Sequence, residues 1–255
     1  MIRALYERLR QRYRTVGYPA QPPVLPDRFR GLPEWRADAC PDDCAACVAA
    51  CPVGAIVREQ GTVRIDLGRC LFCGDCAAAC PHDALQFTRD HRLAARQRDD
   101  LWLDGRERKL AAALDGEMKR LFGRSLKLRQ VSAGGCNACE ADINVLGTIV
   151  FDLGRFGIQF VASPRHADGL LITGPVTENM ELALKKTYDA LPEPRLVIAV
   201  GACAISGGPY AGRPEVRNGA DAIVPVNLYI PGCPPQPITI LDGLLRLLGR
   251  LPPGA

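Results

Sequence analysis

No stretch of the 255 residues approaches the ~18–20 consecutive apolar residues needed to cross a bilayer. The opening residues, MIRALYERLRQRYR, lack the apolar core and small-residue cleavage site of a secretory leader. These two absences predict a cytoplasmic chain whose contact with a membrane comes through partners or its surface. The net charge is only +4, without the strong basic stripe of a nucleic-acid-binding domain, so no nucleic-acid partner is expected. G-x-G-x-x-G, P-loop and flavin signatures are also missing, and no nucleotide cofactor is expected. What is left is a globular composition, 47% hydrophobic and 24% charged, long enough for one large domain or two modest ones.

Against this background stand twelve cysteines. In a reducing compartment disulfides are disfavoured, so such cysteines are metal ligands, redox-active groups or small buried apolar residues. Spacing chooses among these. Residues 40–56 (CPDDCAACVAACPVGAI) and 70–85 (CLFCGDCAAACPHDAL) repeat a C-x₃-C-P ending followed by a small apolar stretch, an internal duplication. The second block is C-x₂-C-x₂-C-x₃-C-P, the run that binds a [4Fe–4S] cluster in bacterial ferredoxins. Paired zinc knuckles are the competing explanation. Zinc usually takes separated C-x₂-C pairs, whereas here four cysteines crowd into each short block.

Residues 36–90 resemble two-cluster ferredoxins. The resemblance implies that Cys70, Cys73 and Cys76 share one cluster with Cys51, and that Cys40, Cys44 and Cys47 share another with Cys80. The first block departs from the pattern by opening with C-x₃-C, which leaves a three-iron cluster as an alternative at Cys40.

Around these blocks the chain changes character several times. Residues 2–17 read as a basic helix with Leu5, Leu9 and Tyr13 on one face. Five prolines in 17–33 read as an extended tether rather than part of a core. The charged stretch 91–124 reads as a connector with one or two surface helices, its leucines being Leu101, Leu103, Leu110, Leu114 and Leu121. Residues 126–134, 157–163, 168–174, 195–202 and 224–230 read as buried strands. Helices are expected at 142–156, at TENMELALKKTYDAL (177–191) and at PITILDGLLRLLGR (237–250). Alternation of this kind predicts a parallel sheet covered on both faces, with functional groups at the carboxyl ends of its strands. The expected architecture is therefore an N-terminal helix and tether (1–35), an α+β ferredoxin-like domain (36–90), a connector (91–124) and an α/β flavodoxin-like domain with a parallel sheet (125–255).

Cys136, Cys139, Cys203 and Cys233 each follow an expected strand, in SAGGCNACEADINVL, AVGACAISGG and YIPGCPPQP. Loops at one sheet edge can converge, so these four thiolates can hold a third cluster. GCNACE, SPRHADGLLITGPVTENM, GACAISGG and PGCPPQP resemble the small subunit of membrane-bound, complex I-related [NiFe]-hydrogenases, over about residues 126–248. They are also similar to the complex I subunit that carries its terminal cluster. The latter has adjacent cysteines in the first motif, whereas Cys136 and Cys139 are two residues apart, which favours the hydrogenase branch. Residues 10–90 resemble the ferredoxin-like subunit of formate hydrogenlyase complexes, so the chain looks like a fusion of two subunits.

The resemblance implies an electron-transfer subunit with three [4Fe–4S] clusters, lying on the cytoplasmic side of the membrane. Its partners would be a hydrogenase-like large subunit, membrane subunits, and a ferredoxin-type or formate/CO dehydrogenase electron partner. It also implies a proton-transfer role for Glu140, weighed against a first-turn glutamate favoured by the helix dipole. Arg165, His82, His91 and His166 read as exposed residues, with Arg165 and His166 placed to meet a partner. The rival functions are a quinone-reducing complex I-like module, a freestanding iron–sulfur carrier, and a related complex without nickel.

Overall fold

The computed structural model describes residues 2–251. Met1 and residues 252–255, included above in the first and last segments, lie outside the described residues. Helix α1 (Ile2–Gln11) ends earlier than its apolar periodicity suggests, and Arg12 takes a positive φ of 56° that a helix cannot continue through. Its apolar face is uncovered, with Ile2, Leu5 and Leu9 all exposed.

Residues 17–33 are not the loose tether their prolines suggest. They carry no helix or strand before Pro33, yet Tyr18 is buried in the main core with Val16 and Leu25 packed against it. The Tyr18 hydroxyl donates to Asp242 Oδ1 at 2.6 Å, and Arg246 Nε donates to the other carboxylate oxygen at 2.8 Å. A buried carboxylate needs such donors, and they tie the N-terminal stretch to the far end of the chain. His91 was expected to be exposed. It is half-buried instead, its ring edge-on to Tyr18 at 5.6 Å, while His82 and His166 are exposed as expected.

The cysteine-rich part is thin. Strand β1 (Pro33–Trp35) comes first, and α2 (Ala46–Ala50) closes the first block as one Ala-rich turn. The hairpin β2 (Ile56–Glu59) and β3 (Thr62–Asp66) turns at Gln60–Gly61, both at positive φ, as a two-residue hairpin turn requires. Helix α3 (Asp75–Ala78) closes the second block, and β4 (Leu85–Phe87) returns to pair antiparallel with β1. Helix-then-strand thus occurs twice, as the duplication implies.

The connector is largely a strap, with one short helix near its end. Ala95 exchanges both main-chain hydrogen bonds with Tyr229, at 3.0 and 2.9 Å. A few residues later β5 (Trp102–Leu103) pairs antiparallel with β3. Leu101, between these anchors, is fully buried. Helical structure is confined to the turn 98–101 and to α4 (Gly116–Phe122), which buries Phe122 and leaves Leu121 exposed.

The C-terminal part runs β6 (Leu126–Ser132), α5 (Ala138–Val145), β7 (Ile158–Phe160), β8 (Gly169–Thr173), α6 (Glu178–Asp189), β9 (Leu196–Val200), α7 (Ala202–Ser206), β10 (Leu228–Ile230) and α8 (Pro237–Leu247). The five expected strands are present and all their pairings are parallel, in the order β10-β9-β8-β6-β7. Numbered from the first strand, this is the doubly wound flavodoxin-like order 2-1-3-4-5. Strands β8 and β9 are buried at every position, because helices and loops cover both faces. The helix expected at 142–156 is instead α5, which starts earlier, followed by a turn and a short 3₁₀ segment at 153–156.

Candidate metal centres

The order of the parallel sheet places its switch point between β6 and β8, where open α/β sheets bind ligands at their carboxyl ends. Cys136 and Cys139 follow β6, Cys203 sits on α7 directly after β9, and Cys233 follows β10. Burial is the main reason the Cys139 thiol is pushed up, followed by the facing groups Cys203, Glu140, Cys233 and Cys136. Cys203 is pushed up to about 11 by burial and by Cys233, Cys136 and Glu140. Four thiols from three loops therefore face one another. Gly201 makes this approach possible: its φ is +91°, and a Cβ there would lie 2.6 Å from Cys139 Sγ.

Glu140 is buried under this set. Its Oε1 accepts from the Thr173 hydroxyl at 2.6 Å. Burial raises its carboxyl, but the Ser132 and Thr173 hydroxyls outweigh this and hold it below the ordinary range. The carboxylate thus pins α5 to the ends of β6 and β8.

In the cysteine-rich part, Cys51 lies in a pocket with Cys70, Cys73 and Cys76, walled by Ile65 and Phe87. Burial, with Cys51 and Cys73 adding to it, pushes Cys70 up to about 12 and Cys76 up to about 11. Cys47 is raised by burial and then by Cys40, with Cys80 contributing from the other block. Main-chain N–H groups donate to three sulfurs: Ala55 to Cys51 at 3.2 Å, Phe72 to Cys70 at 3.3 Å and Ala84 to Cys80 at 3.3 Å. Burial raises the Cys80 thiol, but donors from His82, Ala84 and Leu85 bring it below its usual value.

These groups fit iron–sulfur ligation. Thiols crowded in apolar surroundings resist ionising alone, and a bound metal removes the proton outright while N–H···S bonds stabilise the thiolate. Among the described residues no three Cys, His, Asp or Glu side chains close on a single ion. In a cubane each thiolate binds a different iron.

The two parts meet near their cysteines, where Leu71 and Phe72 line one pocket with Cys233. Cys233 is raised by burial, then by Cys136 and by Cys73 of the second block. Asp66 at the end of β3 accepts two bonds from Arg98, at 2.8 and 2.6 Å, and a third from the Gly68 N–H at 2.9 Å. Ser206 at the end of α7 donates to the Gly68 carbonyl at 3.0 Å. Neither Thr173 nor Arg58, whose guanidinium reaches Cys40, stands out in the sequence, because each lies in an ordinary strand pattern. Arg165 and His166 sit exposed in the 3₁₀ turn at 164–166, outside these groups. No helix among the described residues is long and apolar enough to cross a membrane.

Comparison with known proteins matches residues 136–247 to the family "NADH ubiquinone oxidoreductase, 20 Kd subunit" and residues 38–84 to the 4Fe–4S dicluster domain. The "Probable membrane-bound hydrogenase subunit mbhJ" of Pyrococcus furiosus is 40% identical over 145 residues, 57% of this chain and 87% of that protein. Formate hydrogenlyase subunit 7 of Escherichia coli is 43% identical over 140 residues, 55% of each chain. An NADH-quinone oxidoreductase subunit of Clostridium beijerinckii is 46% identical over 118 residues, 46% of this chain and 70% of that protein.

Proposed function

Because the chain belongs to the family of the NADH–ubiquinone oxidoreductase 20 kDa subunit and is an iron–sulfur electron-transfer subunit of the hydrogenase and complex I-related kind, we propose that it relays electrons through three [4Fe–4S] clusters to or from a nickel–iron site in a partner large subunit. Cys40, Cys44, Cys47 and Cys80 would hold the first cluster, Cys51, Cys70, Cys73 and Cys76 the second, and Cys136, Cys139, Cys203 and Cys233 the third. The observation that carries this reading is the facing of thiols from separate segments, with Cys51 among the second block's cysteines and Cys203 among Cys136, Cys139 and Cys233.

When bound, such clusters supply one-electron transfer at potentials set by their surroundings, from about −700 to +450 mV. The protein's part is to hold, shield and space them. Ile65 and Phe87 give the second site an apolar wall. The Ala55, Phe72 and Ala84 N–H groups stabilise charge on the sulfurs. The influence of Cys73 on Cys233, and of Cys47 on Cys76, supports a second site lying between the first and the third. The bonds of Asp66 with Arg98 and Gly68, and of Ser206 with Gly68, would hold that spacing. The βαββαβ order of residues 33–87 supports a ferredoxin-like domain, joined by the 91–124 strap to the flavodoxin-like part.

The proposed setting is the cytoplasmic face of a membrane complex. There the large subunit, membrane subunits and a ferredoxin-type or formate/CO dehydrogenase partner would complete the path. For Glu140, the anchoring of α5 carries more weight than proton transfer, since both hydroxyl partners hold it ionised.

A quinone-reducing reading is favoured by the 46% identity to the NADH-quinone oxidoreductase relative. Anaerobic metal analysis of the complex purified with this chain separates the two. About twelve irons per chain with nickel in the partner is the expected result. Iron without nickel points to the quinone-type or nickel-free complex, and iron without any partner to a freestanding carrier.

A further inference from the structure

The two cysteine blocks differ by one residue. In the second block the C-x₂-C turn brings the Phe72 N–H onto Cys70 Sγ at 3.3 Å. The first block has C-x₃-C, and its extra length carries two acidic residues, Asp42 and Asp43. At Cys40 the donor is a side chain: Arg58 Nη1 reaches the sulfur at 3.4 Å. Arg58 stands on β2, its side chain only 12% exposed. The same guanidinium donates to the carbonyls of Cys44, Pro41 (3.0 Å) and Gly61 (3.1 Å) and lies 3.8 Å from the Asp42 carboxylate. One fork thus joins the sulfur, both ends of the lengthened loop and the hairpin turn.

We propose that Arg58 is a positioning residue for the first cluster, clasping the lengthened Cys40–Cys44 loop and raising that cluster's reduction potential against the pull of its acidic residues. The inference rests on the four-iron reading of Cys40, Cys44, Cys47 and Cys80. Four acceptors spread around one planar group suit arginine and no other side chain: lysine carries the charge but not the fork. A charge-assisted bond to a ligand sulfur stabilises the more negative, one-electron-reduced state, and the guanidinium keeps its protons throughout. The second and third sites have no such contact with Arg58, so the effect is confined to one cluster.

The test is an EPR-monitored redox titration of the full chain in its complex, prepared anaerobically as unmodified protein, Arg58→Gln and Arg58→Lys, with the first-cluster signal identified by its loss in Cys44→Ser. Arg58→Gln is expected to move that signal's midpoint to lower potential and leave the other two in place. Arg58→Lys is expected to hold the midpoint near the unmodified value but to release iron to a chelator faster. An unmoved midpoint in Arg58→Gln at full iron content overturns the tuning role, and unmodified iron release in Arg58→Lys overturns the clasp. Should Arg58→Gln lose about four irons per chain with the other signals intact, the clasp is supported. The Arg58→Lys midpoint then decides the tuning, and a shift as large as that of a lost charge counts against it. If the unmodified complex itself lacks the first-cluster signal, the ligand reading fails, independently of Arg58.

Discussion

Around the first two cysteine sets the buried core is a cluster of six residues, two of them cysteines: Cys47, Ile56, Val63, Ile65, Cys76 and Leu85. Around the third set, aliphatic layers pack on both faces of a five-stranded sheet, and α8 is buried along its whole length. Each buried aliphatic side chain contributes about 1.5–3 kcal/mol relative to exposure. The sheet therefore stands on its own packing, while the cysteine-rich part has too few such groups and leans on whatever its thiols bind. One chain holds thiols in two ways: as part of the core in one region, and as loops hung from a finished core in the other.

Stripping the iron is the most direct way to break this contrast. Treatment with a strong chelator should abolish amide protection across residues 40–84 while strands β8 and β9 stay protected, as read by hydrogen-exchange mass spectrometry. Equal loss in both regions would show that the sheet also depends on metal. The converse is a cavity in the aliphatic layers. Leu171→Ala, at a fully buried position of β8, should cost about 2–5 kcal/mol in urea unfolding and lower protection in the sheet first.

A smaller effect tests the tie between the N-terminal stretch and the sheet. Tyr18→Phe removes one donor from buried Asp242 and should destabilise by about 1–3 kcal/mol, with faster exchange at 16–20. A change near zero would mean that this stretch is held by its other contacts. The smallest effect concerns pH. Burial raises the Asp90 carboxyl, but Arg92 and Arg108 together hold it below the usual range. A carboxyl depressed by folding stabilises the protein above its unfolded value of about 3.9, and that contribution disappears as pH falls through the lower folded value. Asp90→Asn should flatten this part of the acid-side fall in denaturation midpoint, and an unchanged acid limb would remove Asp90 from it.

The sheet strands were readable because β8 (GLLIT) and β9 (LVIAV) are short apolar runs bounded by glycine or proline, a local signal. The cysteine blocks were readable because ligand spacing is also local. Other features were not. Arg12 cuts α1 short through its backbone conformation, and α5 stops at Val145 although apolar residues continue to Val150. Tyr18 reads as part of a proline-rich linker because its partner Asp242 lies more than 200 residues away. His91 likewise reads as exposed although its ring packs edge-on against Tyr18, a residue far away in the sequence.

By itself the sequence determined the inventory: two duplicated cysteine blocks, three further cysteine loops, and five strands arranged for a parallel sheet. Spacing and periodicity act over a few residues and survive in any context. The tertiary structure alone decided who meets whom. It joined Ser206 to Gly68, ran the 95–103 strap between β10 and β3, docked Tyr18 on Asp242 and laid Arg58 over Cys40. These contacts join segments whose separation in sequence carries no periodic trace, and they form because burial and hydrogen bonding favour the one arrangement that satisfies all of them together.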